Sequence, residues 1–196
     1  MNAISTNNQS VQQQQINGDA HQTACESSQT YYAQPYSLDA SGFYFSNFDD
    51  YTTKVEALRD CNGNQVEEFE IQFIDGSHAE SDLFQAANVN QCNLGQFLAI
   101  VDEVSDFSLP AIFYLLDQGR TIEDAFNNFD EVCLFSGCLE DAAEELFDEI
   151  YAHEIPENLR IYIDYCAFAR DCQYGGDMVE FEFGGETYTC TNASGL

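Results

Sequence analysis

LEDAAEELFDEIY, from Leu139 to Tyr151, is the stretch from which the rest of the chain is best read. Leu139, Ala142, Ala143, Leu146, Phe147 and Ile150 recur at intervals of three and four, the signature of one stripe of an α-helix. Glu140, Asp141, Glu144, Glu145, Asp148 and Glu149 fall opposite that stripe and cover about half the circumference at ~100° per residue. Downstream, Pro156 opens a second helical pattern, LRIYIDYCAFARD from Leu159 to Asp171, with Leu159, Tyr162, Ile163, Cys166, Phe168 and Ala169 placed for a core face. Gly175-Gly176 ends it. Met178 to Phe183 and Glu186 to Cys190 then flank Gly184-Gly185, which predicts a β-hairpin with a tight turn. Two helices followed by a hairpin place this part of the chain in the α+β class.

The acids of the first helix carry a second message. Nine residue steps from Glu140 to Glu149 rise roughly 14 Å, so six carboxylates stand at about one per 2.3 Å. Double-stranded DNA carries about one charge per 1.7 Å. This density has a cost, because six like-charge pairs lie at i,i+3 or i,i+4, each repulsive by about 0.2–0.5 kcal/mol. No base in the stretch offsets them, whereas a helix tuned only for stability would alternate Glu with Lys. The surface therefore reads as one shaped to resemble nucleic acid.

Upstream, the amino-terminal part is a second small α+β unit. Tyr31 to Tyr36 and Gly42 to Ser46 read as two aromatic strands separated by turn residues. Asp49 or Asp50 is expected to cap a helix running to about Asp60, with Val55 and Leu58 inward and Asn62-Gly63-Asn64 as its stop. Val66 to Ile74 alternates Phe69, Ile71 and Phe73 like a half-buried strand. From about Ser81 to Asn128 the period becomes helical. Leu94, Phe97, Leu98, Val101 and Val104 make one stripe. Ile112, Leu115 and Leu116 make a second helix, ended by Gly119, and Thr121 caps a third with Glu123 and Asp124 in its first turn. Phe129 to Phe135 is open between strand and loop.

Composition bounds what such a chain can do. It has 196 residues with 35 acids and 5 bases, a formal charge of −30. Residues 1–30 are polar, carry only Asp19 and Glu26 as acids, and read as a disordered tail, so the charge belongs to the folded part. Sixteen Phe and 11 Tyr are enough to bury a core. The charge excludes nucleic acid and anionic membrane as direct partners and favours basic protein surfaces. No stretch approaches the ~18 apolar residues of a membrane span, and the amino terminus lacks a signal-peptide core. Eight cysteines at this spread read as free thiols in a reducing cytoplasm.

Sharper chemical readings fail. Asp60-Cys61-Asn62-Gly63-Asn64 resembles the start of a calcium loop, but Gln65 and Ile71 stand where Gly and Glu are needed. His21, His78 and His153 are scattered. Neither Cys133 with Cys138 nor Cys166 with Cys172 has the usual zinc spacing. Asp102-Glu103 is one of many chance acid pairs, and adjacent helical residues diverge by ~100°. There is no glycine-rich phosphate loop with a lysine. No catalytic residue, metal or cofactor is assigned.

The segment EIPENLRIYIDYCAFARDCQYGGD, Glu154 to Asp177, resembles the antirestriction motif of ArdA-type antirestriction proteins. The aromatic strands, the FEIQFID strand and the acidic helix precede it in the order that family shows, over about Tyr31 to Cys190. Leu159, Tyr162, Asp164, Tyr165, Ala167, Phe168, Ala169, Arg170 and Asp171 sit at the motif's own positions. Cys166 and Cys172 depart from it, standing where a polar and an apolar residue are expected, and the amino-terminal tail is longer than expected. The resemblance implies an elongated α+β protein of three small modules that forms a homodimer. It also implies that the protein mimics bent B-form DNA, occupies the DNA-binding groove of type I restriction–modification enzymes in a bacterial cytoplasm, and has no catalysis or cofactor of its own. Read from the residues alone, Tyr162, Ile163, Phe168 and Ala169 are packing residues, and Arg170 is expected to tie down neighbouring Asp or Glu.

The expected organisation is a tail over 1–30, an α+β module over 31–78, a helical module over 79–128, an α+β module over 129–191, and a short tail over 192–196. The expected contact surface is Glu123, Asp124, Asp130, Glu131, Glu140, Asp141, Glu144, Glu145, Asp148 and Glu149. The expected partner is a type I restriction–modification enzyme, through its specificity and methyltransferase subunits, with restriction of incoming DNA blocked and modification open to the same block. Such a protein belongs with mobile genetic elements. Three rivals share the acidity: a salt-adapted protein, a weak binder of divalent cations, and an adaptor or mimic aimed at another basic target such as a nucleoid protein, repressor or CRISPR effector.

Overall fold

The structure is a computed structural model and describes residues 29–196. The reading of the amino-terminal tail therefore lies, up to residue 28, outside the described residues. Strands β1 (Thr30–Pro35), β2 (Phe43–Phe45) and β3 (Phe69–Asp75) form an antiparallel sheet in the order β2-β1-β3. The alternation along β1 decides which face is dry. Tyr31 and Ala33 are fully buried, and the register sets Tyr31 between Phe45 and Phe73. Its ring lies 5.4 Å from that of Phe45 and 5.7 Å from that of Phe73, an aromatic cluster that accounts for the strand-forming aromatics of this region.

Helix α1 (Phe48–Ala57) starts and stops earlier than the sequence suggests. Its cap is Asn47, whose side chain accepts from the Asp50 backbone N–H at 2.8 Å. Asp49 and Asp50 sit instead in the first turn, where the helix dipole favours them. The helix ends before Asp60 because Leu58 turns extended and Arg59 pairs with Gln65. Tyr51 is buried, and Val55 and Leu58, half-buried, pack against the core as expected.

Four helices follow: α2 (His78–Ala86), α3 (Leu94–Glu103), α4 (Leu109–Asp117) and α5 (Ile122–Asn128). The first begins at His78 rather than Ser81 because Ser77 and Glu80 form a capping box: Ser77 Oγ accepts from the Glu80 N–H at 3.2 Å, and the Glu80 carboxylate from the Ser77 N–H at 2.7 Å. In α3 the buried residues are Leu94, Phe97, Leu98 and Ile100, and Val101 and Val104, half-buried, pack against the same core. Leu109, Ala111, Ile112, Tyr114, Leu115 and Leu116 are all buried, so α4 is enclosed nearly all round. Thr121 caps α5, its hydroxyl accepting from the Asp124 N–H at 3.1 Å.

A second antiparallel sheet, β4-β6-β5, is built from β4 (Leu134–Ser136), β5 (Val179–Phe183) and β6 (Glu186–Cys190). Gly184 and Gly185, at φ +62° and +84°, make the turn of its hairpin, a conformation that side-chain-bearing residues resist. Phe181 and Phe183 on one face of this sheet pack on Phe113 and Tyr114 of α4. One continuous hydrophobic core therefore runs from Tyr31 in β1 through the four helices to Cys190 in β6.

Helices α6 (Leu139–Ile150) and α7 (Tyr165–Gly175) pack on each other over a separate small core of Leu139, Ala143, Ala169 and Met178. The segment Leu159–Asp171 is not one helix. Residues Glu157–Tyr162 form a 3-10 turn, Ile163 is extended, and Asp164 restarts the chain as the N-cap of α7, accepting from the Ala167 N–H at 2.9 Å. A short acid that bonds its own backbone competes with helix continuation. As a result Leu159, Tyr162 and Cys166 face solvent rather than a core, with Tyr162 78 % exposed.

Candidate functional site

Helix α6 is built to show its acids. Leu139, Ala142 and Ala143 are buried, Leu146 and Phe147 half-buried, and all six carboxylates from Glu140 to Glu149 are exposed. Glu123, Asp124, Asp130 and Glu131 are exposed as well. The helix is held at its start from outside: Cys138 offers no side-chain cap, and Glu180 of β5 accepts from the Leu139 N–H at 2.6 Å. Glu180 was not among the expected site residues, and no local signal marks it, since the contact spans two distant segments.

Among the described residues no Lys or Arg lies within ion-pair distance of this face, although the charges of Arg160 and Arg170 reach Tyr165 and Cys166 and Arg120 lines a cavity with Asp124 and Glu131. Arg59 donates to the carbonyls of Glu56 and Leu58, both at 2.7 Å. Arg160 donates to the Ala152 carbonyl at 2.6 Å, just past the end of α6. Arg170 donates to the Cys166 carbonyl at 3.3 Å rather than to a neighbouring acid, so the expected tether is absent among the described residues. The Arg59 guanidinium thereby satisfies carbonyls at the end of α1, whereas the Arg170 bond lies in the first turns of α7. Among the described residues, the one Lys or Arg in an ion pair is Lys54, 2.7 Å from Asp50.

The residues expected to carry the motif, Leu159 to Asp171, divide into two groups. Ala169 is buried, and Phe168 and Tyr165 turn their rings to Phe147 of α6 at 5.1 and 5.5 Å. Ala167 is half-buried beside them and Asp164 is the cap. These residues fix α6 in place. Leu159, Tyr162, Arg170 and Asp171 are exposed. Leu159 and Tyr162 join Ile150, Tyr151 and Ile161 as exposed apolar side chains at the carboxyl end of α6 and in the turns after it, with Ile161 79 % exposed.

Ionisation follows the field of the acids. The Tyr165 hydroxyl donates to Asp148 at 2.7 Å. That bond, with some desolvation and the charges of Asp148 and Glu144, raises its pKa above the usual phenol value. Glu140 raises the Cys166 thiol through a hydrogen bond and its charge, and burial followed by Asp177 and Asp171 raises Cys172. Thiols held protonated are poor nucleophiles and poor metal ligands. Among the described residues no group of three His, Cys, Asp or Glu is placed to hold a metal ion. At the calcium-like loop, Asp60 spends its oxygens on Asn62 and Asn64, at 2.8–3.0 Å. No described helix is long and apolar enough to cross a membrane.

A family model described as "Antirestriction protein (ArdA)" matches residues 6–187. The match begins within the stretch read as a tail, outside the described residues. No curated protein and no solved structure matches the chain.

Proposed function

Because the chain belongs to the ArdA family of antirestriction proteins, we propose that it inhibits type I restriction–modification enzymes by presenting its carboxylates where DNA phosphates would lie. The observation that carries this reading is the exposed face of α6, six carboxylates with no Lys or Arg paired to any of them among the described residues. Arg and Lys side chains that grip phosphates in the target's groove would grip Asp and Glu here. Complementary fields would steer the encounter and fade with salt. The contribution of each carboxylate is small, so the surface as a whole acts. No step of this reading requires catalysis, a metal or a cofactor.

The same reading divides the chain into modules over 31–78, 79–128 and 129–191, supported by two separate three-stranded sheets with α2 to α5 between them in sequence. It also pairs two copies through the apolar residues around Tyr151 and Tyr162, whose exposure is hard to account for in a lone chain. Sedimentation of the unaltered protein beside Tyr162→Asp tests the pairing; equal monomer masses at all concentrations would remove it.

The central test is displacement. Purified type I methyltransferase (specificity plus methyltransferase subunits) is loaded with labelled DNA carrying its site, and the protein is titrated in at moderate salt. Displacement near stoichiometry supports mimicry. Retention of the DNA with folded protein in excess removes the reading for that enzyme.

A further inference from the structure

The turn between α3 and α4 holds an aromatic ring out in solvent. Phe107 is 96 % exposed, and of the 16 phenylalanines only it and Phe48 are exposed. The turn itself is pinned. The Ser108 N–H donates to the Ser105 carbonyl at 2.9 Å, and the two serine hydroxyls lie 3.3 Å apart. Ile100 is buried before the turn, and Leu109 and Pro110 are buried immediately after it. A ring presented on so short a turn loses little freedom when it is captured. In water it forfeits the stabilisation that burying a Phe provides. Asp102, Glu103 and Asp106 surround it in sequence and are exposed, and no Lys or Arg occurs between Arg59 and Arg120.

We propose that Phe107 is an apolar anchor that enters a slot in the cationic DNA-binding surface of the target, with Asp102, Glu103 and Asp106 meeting basic side chains at the rim. This rests on the reading of the chain as a DNA mimic and extends it, since the carboxylates imitate a backbone and the ring imitates what the backbone carries. An enzyme that acts on a DNA base takes the extruded base into a pocket between aromatic or apolar side chains. A phenyl ring is planar and no larger than a base, so its chemistry matches that pocket.

The full chain and the variants Phe107→Ala and Phe107→Tyr are compared in displacement of labelled DNA from a type I methyltransferase at two salt concentrations. Phe107→Ala should require about ten- to hundredfold more protein at both salts, the equivalent of one unburied Phe. Its thermal midpoint and the slope of affinity against salt should not change. Phe107→Tyr keeps the ring and should lose less than Phe107→Ala. If Phe107→Ala displaces as well as the unaltered protein, the anchor is overturned while mimicry stands. A deficit that vanishes at high salt is electrostatic and also overturns the anchor. If the unaltered protein displaces nothing, mimicry of that enzyme's DNA fails first and the anchor falls with it.

Discussion

The Glu180 carboxylate accepts a hydrogen bond from the backbone N–H of Leu139 at 2.6 Å, so a strand of the carboxyl-terminal hairpin supplies the cap that the acidic helix lacks. An anionic acceptor at a helix start satisfies an orphan donor and complements the dipole. Replacing Glu180 with Ala should cost about 1 kcal/mol, as other cap removals do. For a domain of this size that lowers the thermal midpoint by about 2–4 °C. Circular dichroism melting measures it, and Glu180→Gln, which keeps an acceptor, should lose less.

Charge on α6 sets stability against binding. Glu144, Glu145 and Glu149 take part in all six like-charge pairs of the helix, while Asp148 is engaged by Tyr165. Changing the three Glu to Gln should raise stability by about 1–3 kcal/mol at low salt by removing those pairs. The same variant should displace DNA from the target less well. Melting and displacement on one preparation check both, and unchanged displacement at low salt would take α6 out of the contact surface.

Alkaline pH should unfold the protein earlier than its surface charge alone predicts. Burial, then the neighbouring Cys190 and Asp117, pushes the Tyr114 phenol up to about 12, and burial with Glu80 and Asp102 raises Tyr31 further. Unfolded tyrosine titrates near pH 10. The folded state therefore holds protons that the unfolded state releases, and stability is full below about pH 10 and falls as pH rises towards 12. Tyrosinate absorbance followed beside thermal midpoints should show the loss, and Tyr114→Phe should flatten it.

Asp82 of α2 accepts from the Gly184 N–H of the hairpin turn at 2.8 Å. Asp82→Ala should destabilise by about 1–3 kcal/mol because the Gly184 donor is left unmet. Asp82→Asn removes the same charge but keeps an acceptor, so it should lose less; urea unfolding of the pair separates hydrogen bond from charge.

What the sequence made legible was local. Thr121 before Glu123-Asp124, Gly184-Gly185 between alternating strands, and the three-four spacing of Leu139 to Ile150 each carry their own instruction, and each element formed where expected. The capping box of Ser77 and Glu80 was equally local but stood outside the apolar period, so α2 began a turn early. In LRIYIDYCAFARD the helical period ran through Asp164, and the cap it makes overrode the period and turned Leu159 and Tyr162 outward. Of the acidic face, exposure followed from spacing. The Glu180 cap and the Asp82 contact join residues 41 and 102 positions apart, which no spacing rule connects.

The exposed acidic face decides where the protein's counter-charge resides. With 35 acids against 5 bases, and no Lys or Arg paired to α6 among the described residues, the carboxylates must draw sodium or potassium from the medium, as a nucleic acid does. A basic target that closes on this face expels that ion atmosphere. Much of the driving force for association would then be the entropy of small ions returned to bulk solution, and a calorimeter would record it as weakly enthalpic binding.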